Sequence, residues 1–492
     1  MTQQNTYRIP KLDYLVLLPI LALAFYIAFI PHQGYSYPVH IDEWVHWAYS
    51  NAALRTGSAT FVDPFLGQST IGLGTNLEAS FHLFWGVFHQ ISGISWLTIF
   101  KYFPGIVFVV TVLSVYIMGR RAGFGWEAAL FTCLIITTVG ILGPGFLVPV
   151  AMGLLFIPLS LFLAFNFRTI WSYVVLFIFT CFLLAIHAPT AIGLAIVLAP
   201  YILLNLKGNF KHSLGITLAM AIPFLAPFPW IFDMLLPTAK SLLVPQPLLE
   251  YVQLPRIVQT YGYLPILFCL LGTFLLAMRG GKENYGLVLG LLALLAMVAI
   301  FHSLHYGIDT MYYRGLMYMM LLISIVAGAG LMGVKNLKLP ERLNAQLKVP
   351  LITKNVGLIL CLALVGLTLA VGIPNRQNIP YYRMIDSEDY QAFVWIRENV
   401  DNKHEKAILD PWKATAFTAV TERKVLTRIH GYPKPSDEEA YDFLNGGCRD
   451  TTFLRETGIS IVYTQGSVDN PDLVEQEMKH VYLLKEANSV RD

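Results

Sequence analysis

Two adjacent carboxylates, Asp42 and Glu43, stand in the first polar stretch of the chain, YPVHIDEWVHW, which begins at Tyr37. Neighbouring residues at the start of a helix point in different directions, so one carboxylate can face a cavity while the other anchors the loop. A carboxylate next to apolar membrane surface has a raised pKa, and Asp42 is therefore predicted to act as a general base. The alternative is structural: Asp42 caps an interfacial helix whose Trp44 and Trp47 lie on lipid headgroups.

A second pair of polar residues, Glu78 and His82, lies in the amphipathic stretch 76–96. Their spacing places them on one face of a helix. Phe81 and Trp85 contribute to the apolar side, as in a helix that lies in the membrane interface. Glu78 and His82 either form a local surface pair or line a substrate cleft, and the spacing allows both.

Ionisable residues near the ends of apolar runs are further candidates. His187 stands at a break in a long apolar run, and an ionisable residue at membrane depth is a candidate for function. Arg314 follows Asp309 and Tyr313 just before another apolar run, and a guanidinium matches phosphate oxygens in a bidentate manner. The structural alternatives are a hydrogen-bonded turn for His187 and, for Arg314, a side chain that snorkels to lipid headgroups or pairs with Asp309.

The rest of the chain is mostly apolar. Of its 492 residues, 55% are hydrophobic and only 13% are charged, whereas soluble domains carry about 25% charged residues. No basic stripe indicates nucleic-acid binding. The five cysteines form no CxxC motif and no Cys/His cluster, so neither a disulfide framework nor a zinc site is predicted.

Apolar runs of membrane-spanning length recur along the chain. About 20 residues cross the hydrocarbon core, and we predict about eleven spans: 12–30, 97–118, 126–143, 147–165, 170–187, 190–206, 213–236, 263–278, 286–304, 315–334 and 356–373. If the N-terminus is cytoplasmic, every short cytoplasmic loop carries lysine or arginine, which is the positive-inside pattern. The same orientation places the C-terminal region outside.

The composition becomes charged after Pro374. Residues 387–400 have the spacing of a capped helix. Short apolar runs that are typical of strands follow at 406–409, 424–429, 459–464 and 481–484. We therefore predict an all-α polytopic membrane bundle, 1–373, with a large first outer loop, 31–96, and an extracytoplasmic soluble α/β domain, 374–492.

A first span, a long outer loop that opens with Asp-Glu, many further spans and an outer C-terminal domain together resemble the GT-C glycosyltransferases. The stretch HIDE from His40, followed by residues 48–57 and by Asp63-Pro64-Phe65, is similar to the first outer loop of protein O-mannosyltransferases and lipid A aminoarabinose transferases. Oligosaccharyltransferase catalytic subunits share the topology. The resemblance covers the whole chain, and this short acidic motif is its sharpest part.

The resemblance implies inverting transfer of a sugar from a polyprenyl-phosphate donor, such as dolichyl phosphate, to a glycan, lipid or protein acceptor at the outer face. It implies that Asp42 is the catalytic carboxylate, with Glu43 beside it. The phosphate would be bound by Arg314 with His187 or Lys240, and the loop that carries Lys240 would fold over the lipid. The predicted substrate-binding residues are Arg314, His187, Lys240, Glu78, His82, Asp309 and Tyr313.

The resemblance leaves metal dependence open. The oligosaccharyltransferase branch uses an acidic motif in its second outer loop to hold a divalent metal, and the corresponding turn here, LGPGF from Leu142, has no carboxylate. If Mg or Mn is bound, the predicted ligands come from Asp42, Glu43, Asp63 and Glu78. The alternative function is a transporter or lipid-linked-sugar flippase, which favours charged groups at mid-span and repeated halves; neither feature is evident in this sequence.

Overall fold

The computed structural model describes residues 11–72, 76, 78–225, 242, 244–245, 254–338, 355–431 and 433–485. The chain forms two compact units. We call Met1–Gln33 together with Tyr102–Pro380 the membrane unit, and Gly34–Lys101 together with Tyr381–Asp492 the α/β unit. The first outer loop therefore belongs to the same compact unit as the C-terminal region. The functional division into 1–373 and 374–492 stays a prediction.

Helices dominate the described chain. In chain order they are α1 (Lys11–Phe29), α2 (Ile41–Thr56), α3 (Ala79–Ser92), α4 (Trp96–Ala122), α5 (Gly125–Thr132), α6 (Pro149–Leu154), α7 (Phe156–Asn166), α8 (Ile170–Asn205), α9 (Phe210–Leu225), α10 (Leu254–Tyr261), α11 (Tyr263–Arg279), α12 (Lys282–Leu304), α13 (Asp309–Lys335), α14 (Val356–Gln377), α15 (Ser387–Asn399), α16 (Ala414–Thr421), α17 (Pro435–Asn445) and α18 (Thr451–Glu456). The strands are β1 (Phe61–Val62), β2 (Thr70–Ile71), β3 (Lys406–Ile408), β4 (Lys424–Val425), β5 (Ile461–Tyr463), β6 (Leu473–Glu475) and β7 (Val481–Leu484).

Seven helical segments in the described chain are long and apolar enough to cross a membrane: Tyr14–His32, Trp96–Ala122, Pro149–Asn166, Ile170–Asn205, Lys282–Leu304, Asp309–Lys335 and Val356–Gln377. Helices α9 and α11 are apolar but shorter. The predicted number of eleven spans is not confirmed. The predicted span 213–236 is described only as far as Leu225.

The predicted span 126–143 is wrong as a continuous helix, because α5 ends at Thr132. The segment that follows contains Gly143, Pro144 and Gly145, which disfavour a helix. A side chain on Gly143 would lie 2.1 Å from the carbonyl oxygen of Ile136, so this fold of the chain requires glycine there. The irregular segment is largely buried within the protein, as non-helical backbone in a membrane protein must be.

Close helix packing in the membrane unit depends on small residues. A Cβ atom on Gly272 of α11 would lie 2.0 Å from the carbonyl oxygen of Val326, and one on Gly330 of α13 would lie 2.1 Å from that of Phe268. The backbones of α11 and α13 are therefore in direct contact, as in other membrane helix pairs with small residues at the crossing. This contact holds α13, which carries Arg314.

The α/β unit contains a five-stranded sheet with the order β4-β3-β5-β7-β6. The first three strands are parallel, and β7 and β6 continue the sheet antiparallel. Each of the four strands predicted from the sequence is present, at least in part. Strand β6 was missed because only its first two residues, Leu473 and Val474, are apolar, and charged or polar residues flank them. The α/β class of this C-terminal region is confirmed.

Helix α15 confirms the predicted capped helix. Its N-cap is Asp386, whose side chain accepts hydrogen bonds from the backbone N–H groups of the next residues. Asp389 is buried and forms an ion pair with Lys413 at 2.7 Å, and the hydroxyl of Tyr463 donates to the same carboxylate at 2.7 Å. This network ties α15 to the sheet.

Candidate functional site

Helix α2 begins at the predicted acidic pair, and its cap separates the two carboxylates. His40 is the N-cap, and its side chain accepts a hydrogen bond from the backbone N–H of Asp42 at 3.1 Å. Glu43 is fully buried. Its carboxylate accepts hydrogen bonds from the backbone N–H groups of Val39 and His40 at 2.9 and 3.1 Å. Glu43 therefore anchors the loop, while the carboxylate of Asp42 is directed to other partners.

The alternative prediction for this stretch was an interfacial helix that is capped by Asp42 and rests on lipid headgroups, and it is wrong in two respects. Asp42 is not the N-cap, because α2 starts at Ile41 and His40 takes that role. Trp44 and Trp47 do not lie on lipid headgroups. Both are buried within the protein, and their rings stack with centroids 5.3 Å apart.

Asp42 contacts a residue from the C-terminal part of the α/β unit. Its Oδ1 accepts a hydrogen bond from His430 Nε2 at 2.9 Å and lies 3.8 Å from His40 Nδ1. The Asp42 side chain is 22% exposed. Burial acts to raise the pKa of Asp42. Three neighbouring histidines outweigh burial and hold this pKa well below its ordinary value: His40, His430 and His46. The predicted raised pKa is therefore wrong. The prediction considered the effect of nearby apolar surface, which raises the pKa, and left out these imidazoles, which lower it.

The segment after β4 supplies two functional candidates that sequence reasoning missed, Arg428 and His430. Their two-residue spacing on an extended chain places them on one side, which is the only signal the sequence offers for them. The Arg428 guanidinium lies 3.9 Å from the ring centroid of Phe65. Its Nη1 is buried and has no hydrogen-bond partner among the described residues. Arg428 is therefore a cation with unused donor capacity near the Asp42 helix.

Asp42, His46 and Tyr49 follow one another along one face of α2, because they are spaced by four and three residues. Burial raises the pKa of the Tyr49 hydroxyl, and Arg428 partly offsets this effect. The face thus carries an anion, an imidazole and a neutral phenol. These three residues form the polar side of α2, a helix in which most residues are buried.

The predicted pair Glu78 and His82 is joined by His46. His46 Nδ1 and His82 Nε2 are 2.9 Å apart, and both rings are buried. One ligand atom from each of the three side chains lies within 4.8 Å of the others, so His46, Glu78 and His82 could together hold a metal ion. Burial and the nearby His46 lower the pKa of His82. In the described part of the chain, Asp42, Glu43 and Asp63 form no such group.

Asp63, a predicted metal ligand, organises a turn. Its carboxylate accepts a hydrogen bond from the backbone N–H of Phe65 at 3.2 Å. Its backbone N–H donates to the carbonyl of Ser69 at 2.8 Å, next to the β1–β2 pair. These bonds give Asp63 a structural role in the connection between the two strands.

In the membrane unit, His187 marks the kink of α8. Its backbone angles, φ −160° and ψ 89°, interrupt the helix at the break predicted from the sequence. His187 Nδ1 lies 2.7 Å from the Thr190 hydroxyl, which lies 2.9 Å from the hydroxyl of Tyr318 on α13. A Cβ on Gly193 would lie 2.7 Å from the Tyr318 ring, so only glycine permits this approach. The kink thus connects α8 to α13 through hydroxyl groups.

Arg314 lies one helical turn before Tyr318 on α13. The guanidinium Nε of Arg314 is buried and has no hydrogen-bond partner among the described residues. Asp309 starts the helix and accepts from the backbone N–H of Thr310 at 2.6 Å. No ion pair between Asp309 and Arg314 occurs in the described chain, so the predicted pairing is wrong. Tyr313 is half-buried beside Tyr312, with ring centroids 5.2 Å apart.

The predicted site residues thus form two groups. The α/β unit holds Asp42, Glu43, Asp63, Glu78 and His82, and the membrane unit holds His187, Asp309, Tyr313 and Arg314. Lys240 lies outside the described residues. The polar pair Asp42–His430 and the arginine on α13 are the most chemically distinctive members of the two groups.

Comparison with known proteins gives a fold. No family model matches the chain, and no curated protein matches it. The apo oligosaccharyltransferase of Archaeoglobus fulgidus matches with a TM-score of 0.61 and 13% identity, over 91% of this chain and 69% of that chain. The same organism's AglB, in complex with an inhibitory peptide and a dolichol-phosphate, matches with a TM-score of 0.58 and 12% identity, over 92% and 70%.

The mycobacterial arabinofuranosyltransferase AftD matches with a TM-score of 0.55 and 15% identity, over 98% of this chain and 41% of that chain. These proteins are GT-C glycosyltransferases, so the predicted resemblance is confirmed at the level of the fold. The long apolar helices and this fold identify the chain as an integral membrane protein.

Proposed function

We propose that the protein is a glycosyltransferase that moves a sugar from a polyprenyl-phosphate-linked donor to an acceptor at the outer face of the membrane. The observation that carries this proposal is the contact of 2.9 Å between the Asp42 carboxylate and His430 at the start of α2, in a chain with the GT-C fold. The fold supports glycosyl transfer as the reaction class, and the Asp42 carboxylate supplies the charged group that orients the acceptor. The N-terminus would be cytoplasmic and the α/β unit extracytoplasmic, in keeping with the positive-inside pattern.

Asp42 acts by orienting the acceptor. A carboxylate with a lowered pKa is a weak base, since an efficient general base has a pKa near the working pH. It is nevertheless a strong hydrogen-bond acceptor and a fixed negative charge. The acceptor N–H or O–H would donate to Asp42, and its lone pair would attack the anomeric carbon while the bond to phosphate breaks. The electron pair leaves with the phosphate, and the anomeric configuration inverts. The proton is lost to solvent as the new bond forms.

Arg314 binds the phosphate of the donor. Its buried Nε has no partner among the described residues, and a guanidinium offers paired donors to phosphate oxygens. Fixed positive charge stabilises the phosphate as it departs. The hydroxyls of Thr190 and Tyr318 and the ring of His187 line the neighbouring part of the membrane unit. The dolichol-phosphate seen with AglB supports a lipid-linked donor for this chain.

The test is sugar transfer in membranes or proteoliposomes from a radiolabelled polyprenyl-phosphate donor. Wild type should transfer label, and Asp42→Asn should lose at least 100-fold in rate, as expected for the loss of a fixed charge in an active site. Asp442→Asn, an identical change at an exposed aspartate of the same unit, is the matched control. Full transfer by a folded Asp42→Asn variant would remove Asp42 from the reaction. No transfer by wild type from any polyprenyl-phosphate sugar would reject the donor class.

A further inference from the structure

The cluster of His46, Glu78 and His82 has the composition of a transition-metal site. Glu78 and His82 are one turn apart at the start of α3, and His46 approaches them from α2. Two imidazoles and one carboxylate, with a fourth position left to water, are a recurrent donor set for zinc. We propose that the protein binds one divalent transition-metal ion, with zinc as the best fit, through His46, Glu78 and His82.

The chemistry of the donors favours zinc over magnesium or manganese. Imidazole nitrogen suits zinc, copper, iron and nickel, whereas magnesium and manganese prefer oxygen ligands. Of the oxygen donors predicted from sequence, only Glu78 belongs to this cluster. Glu43 accepts from backbone N–H groups of the cap, Asp63 accepts within a turn, and Asp42 accepts from His430. Sequence motifs do not indicate this zinc site, because the three ligands have no standard spacing and His46 lies in a different helix from the other two.

The spacing of the donor atoms suits a metal after a small movement. His46 Nδ1 and His82 Nε2 are 2.9 Å apart. Two nitrogens bound to one zinc at ~2.05 Å in a tetrahedral site lie about 3.3 Å apart, so the rings need to separate by only a few tenths of an ångström. All three donor atoms already lie within 4.8 Å of one another. The two rings are nearly inaccessible to solvent, which protects a bound ion from exchange.

Asn76 is placed to orient one of the ligands. Its amide nitrogen lies 3.3 Å from His82 Nδ1, the ring nitrogen that faces away from His46. Its amide oxygen accepts from the backbone N–H of Glu78 at 3.2 Å. Metal-bound histidines commonly contact such a polar group through the second ring nitrogen, which fixes the ring orientation. Zinc on His82 Nε2 would leave the proton on Nδ1, so the Asn76 amide would rotate end for end to accept from Nδ1–H and would give up the bond from the Glu78 N–H.

The competing explanation is a structural hydrogen bond between two histidines that joins α2 to α3. Aromatic packing is consistent with it, since Phe81 and Tyr49 contact the rings with centroid distances of 4.9 and 5.3 Å. The two explanations differ in one respect. A hydrogen bond needs only His46 and His82, whereas a metal site also needs the carboxylate of Glu78.

The experiment uses the full chain, purified in detergent and stripped with a chelator. Zinc is added, unbound zinc is removed, and the metal content is measured by elemental analysis. Affinity comes from competition with a chromophoric chelator, and cobalt is used as a visible reporter of tetrahedral coordination. The variants are His82→Gln and Glu78→Gln. The matched control is His89→Gln on the same helix, whose imidazole contacts the carbonyl of Ile94.

Wild type and His89→Gln should each retain about one equivalent of zinc, and zinc should raise their melting temperature by mass action. His82→Gln and Glu78→Gln should bind at least tenfold more weakly, because even changes to residues behind a metal ligand cost ten- to 100-fold. If His82→Gln fails to fold, Glu78→Gln, at a half-buried position, still distinguishes the metal site from the histidine–histidine hydrogen bond. A wild-type protein that retains no zinc, or a folded Glu78→Gln variant with unchanged zinc affinity, would overturn the proposed site. Sugar transfer is a separate measurement, so loss of metal binding does not imply loss of the proposed activity.

Discussion

Replacement of His430 by glutamine should slow sugar transfer only while Asp42 carries its charge. Asp42 and His430 are joined at 2.9 Å, and the His430 side chain is 44% exposed. A hydrogen bond to a charged group contributes about 1.5–3 kcal/mol, and solvent exposure reduces an ionic contribution toward about 1 kcal/mol. A loss of ~1–1.4 kcal/mol corresponds to a roughly five- to tenfold lower rate. Asp42→Asn alone should cost at least about 100-fold.

The double variant tests whether His430 acts through Asp42. If it does, His430→Gln added to Asp42→Asn should change the rate by less than about twofold, because residues that act as a unit are not additive. The assay is the initial rate of transfer at saturating donor, with kcat and KM measured separately for the four proteins. A further five- to tenfold loss in the Asp42→Asn background would refute the argument and give His430 an independent role. Equal folding of the four proteins is checked by their melting temperatures.

The pH profile provides a second measure of the same contact. Because histidines lower the pKa of Asp42, the stabilisation from its ionised form is present above the unfolded pKa, ~3.9, and is lost as pH falls through the lower folded value. Asp42 should therefore stay ionised throughout pH 5–8 in wild type. Removal of His430 should raise the pKa of Asp42 and move the acid limb of activity to higher pH. An acid limb that does not move would show that His430 supports the fold without acting on the carboxylate.

Three other substitutions test the structure. Arg314→Lys should raise the KM for the lipid donor about tenfold through loss of the guanidinium fork, with a smaller change in kcat, and an unchanged KM would exclude the phosphate role. Glu43→Gln should destabilise the α/β unit by about 1–2 kcal/mol through its two cap hydrogen bonds, seen as a lower melting temperature; a melting curve like that of wild type would contradict this role. Lys413→Met should lower the free energy of unfolding by ~3 kcal/mol, because it leaves the buried Asp389 without its cation. Limited proteolysis of the C-terminal region measures this loss, and a variant as resistant as wild type would argue against it.

Local patterns in the sequence were sufficient where neighbouring residues determine the structure. The break at His187 is a kink in α8, and the helix predicted over 387–400 begins at Ser387, although its cap is Asp386, one residue earlier. The separation of Asp42 from Glu43 also follows from helix geometry, since adjacent side chains diverge by about 100°. These features depend on residues within one or two turns, so periodicity and capping rules can find them.

The contacts that define the site lie beyond local patterns. Asp42 and His430 are 388 positions apart, and no local rule brings an exposed histidine of the C-terminal region to a carboxylate of the first outer loop. The lowered pKa of Asp42 has a local part, from His40 and His46, and a part from His430 that depends on this distant contact. In the membrane unit, the apolar composition of 126–143 favoured a span, yet the glycines and the proline at its end favour an irregular buried segment.

The order of the two acids explains why both are needed at the start of α2. The third residue of a helix is the one whose side chain reaches back to the cap, and Glu43 occupies that position. With Glu43 bound to the backbone, the first turn is fixed and the second residue, Asp42, points elsewhere. With Glu43 alone, the helix would be capped but would lack a carboxylate that points away from the cap. With Asp42 alone, the carboxylate would stand on a first turn that frays. The adjacent pair therefore provides one fixed charge and the hydrogen bonds that hold it in place, which is what a preorganised electrostatic site requires.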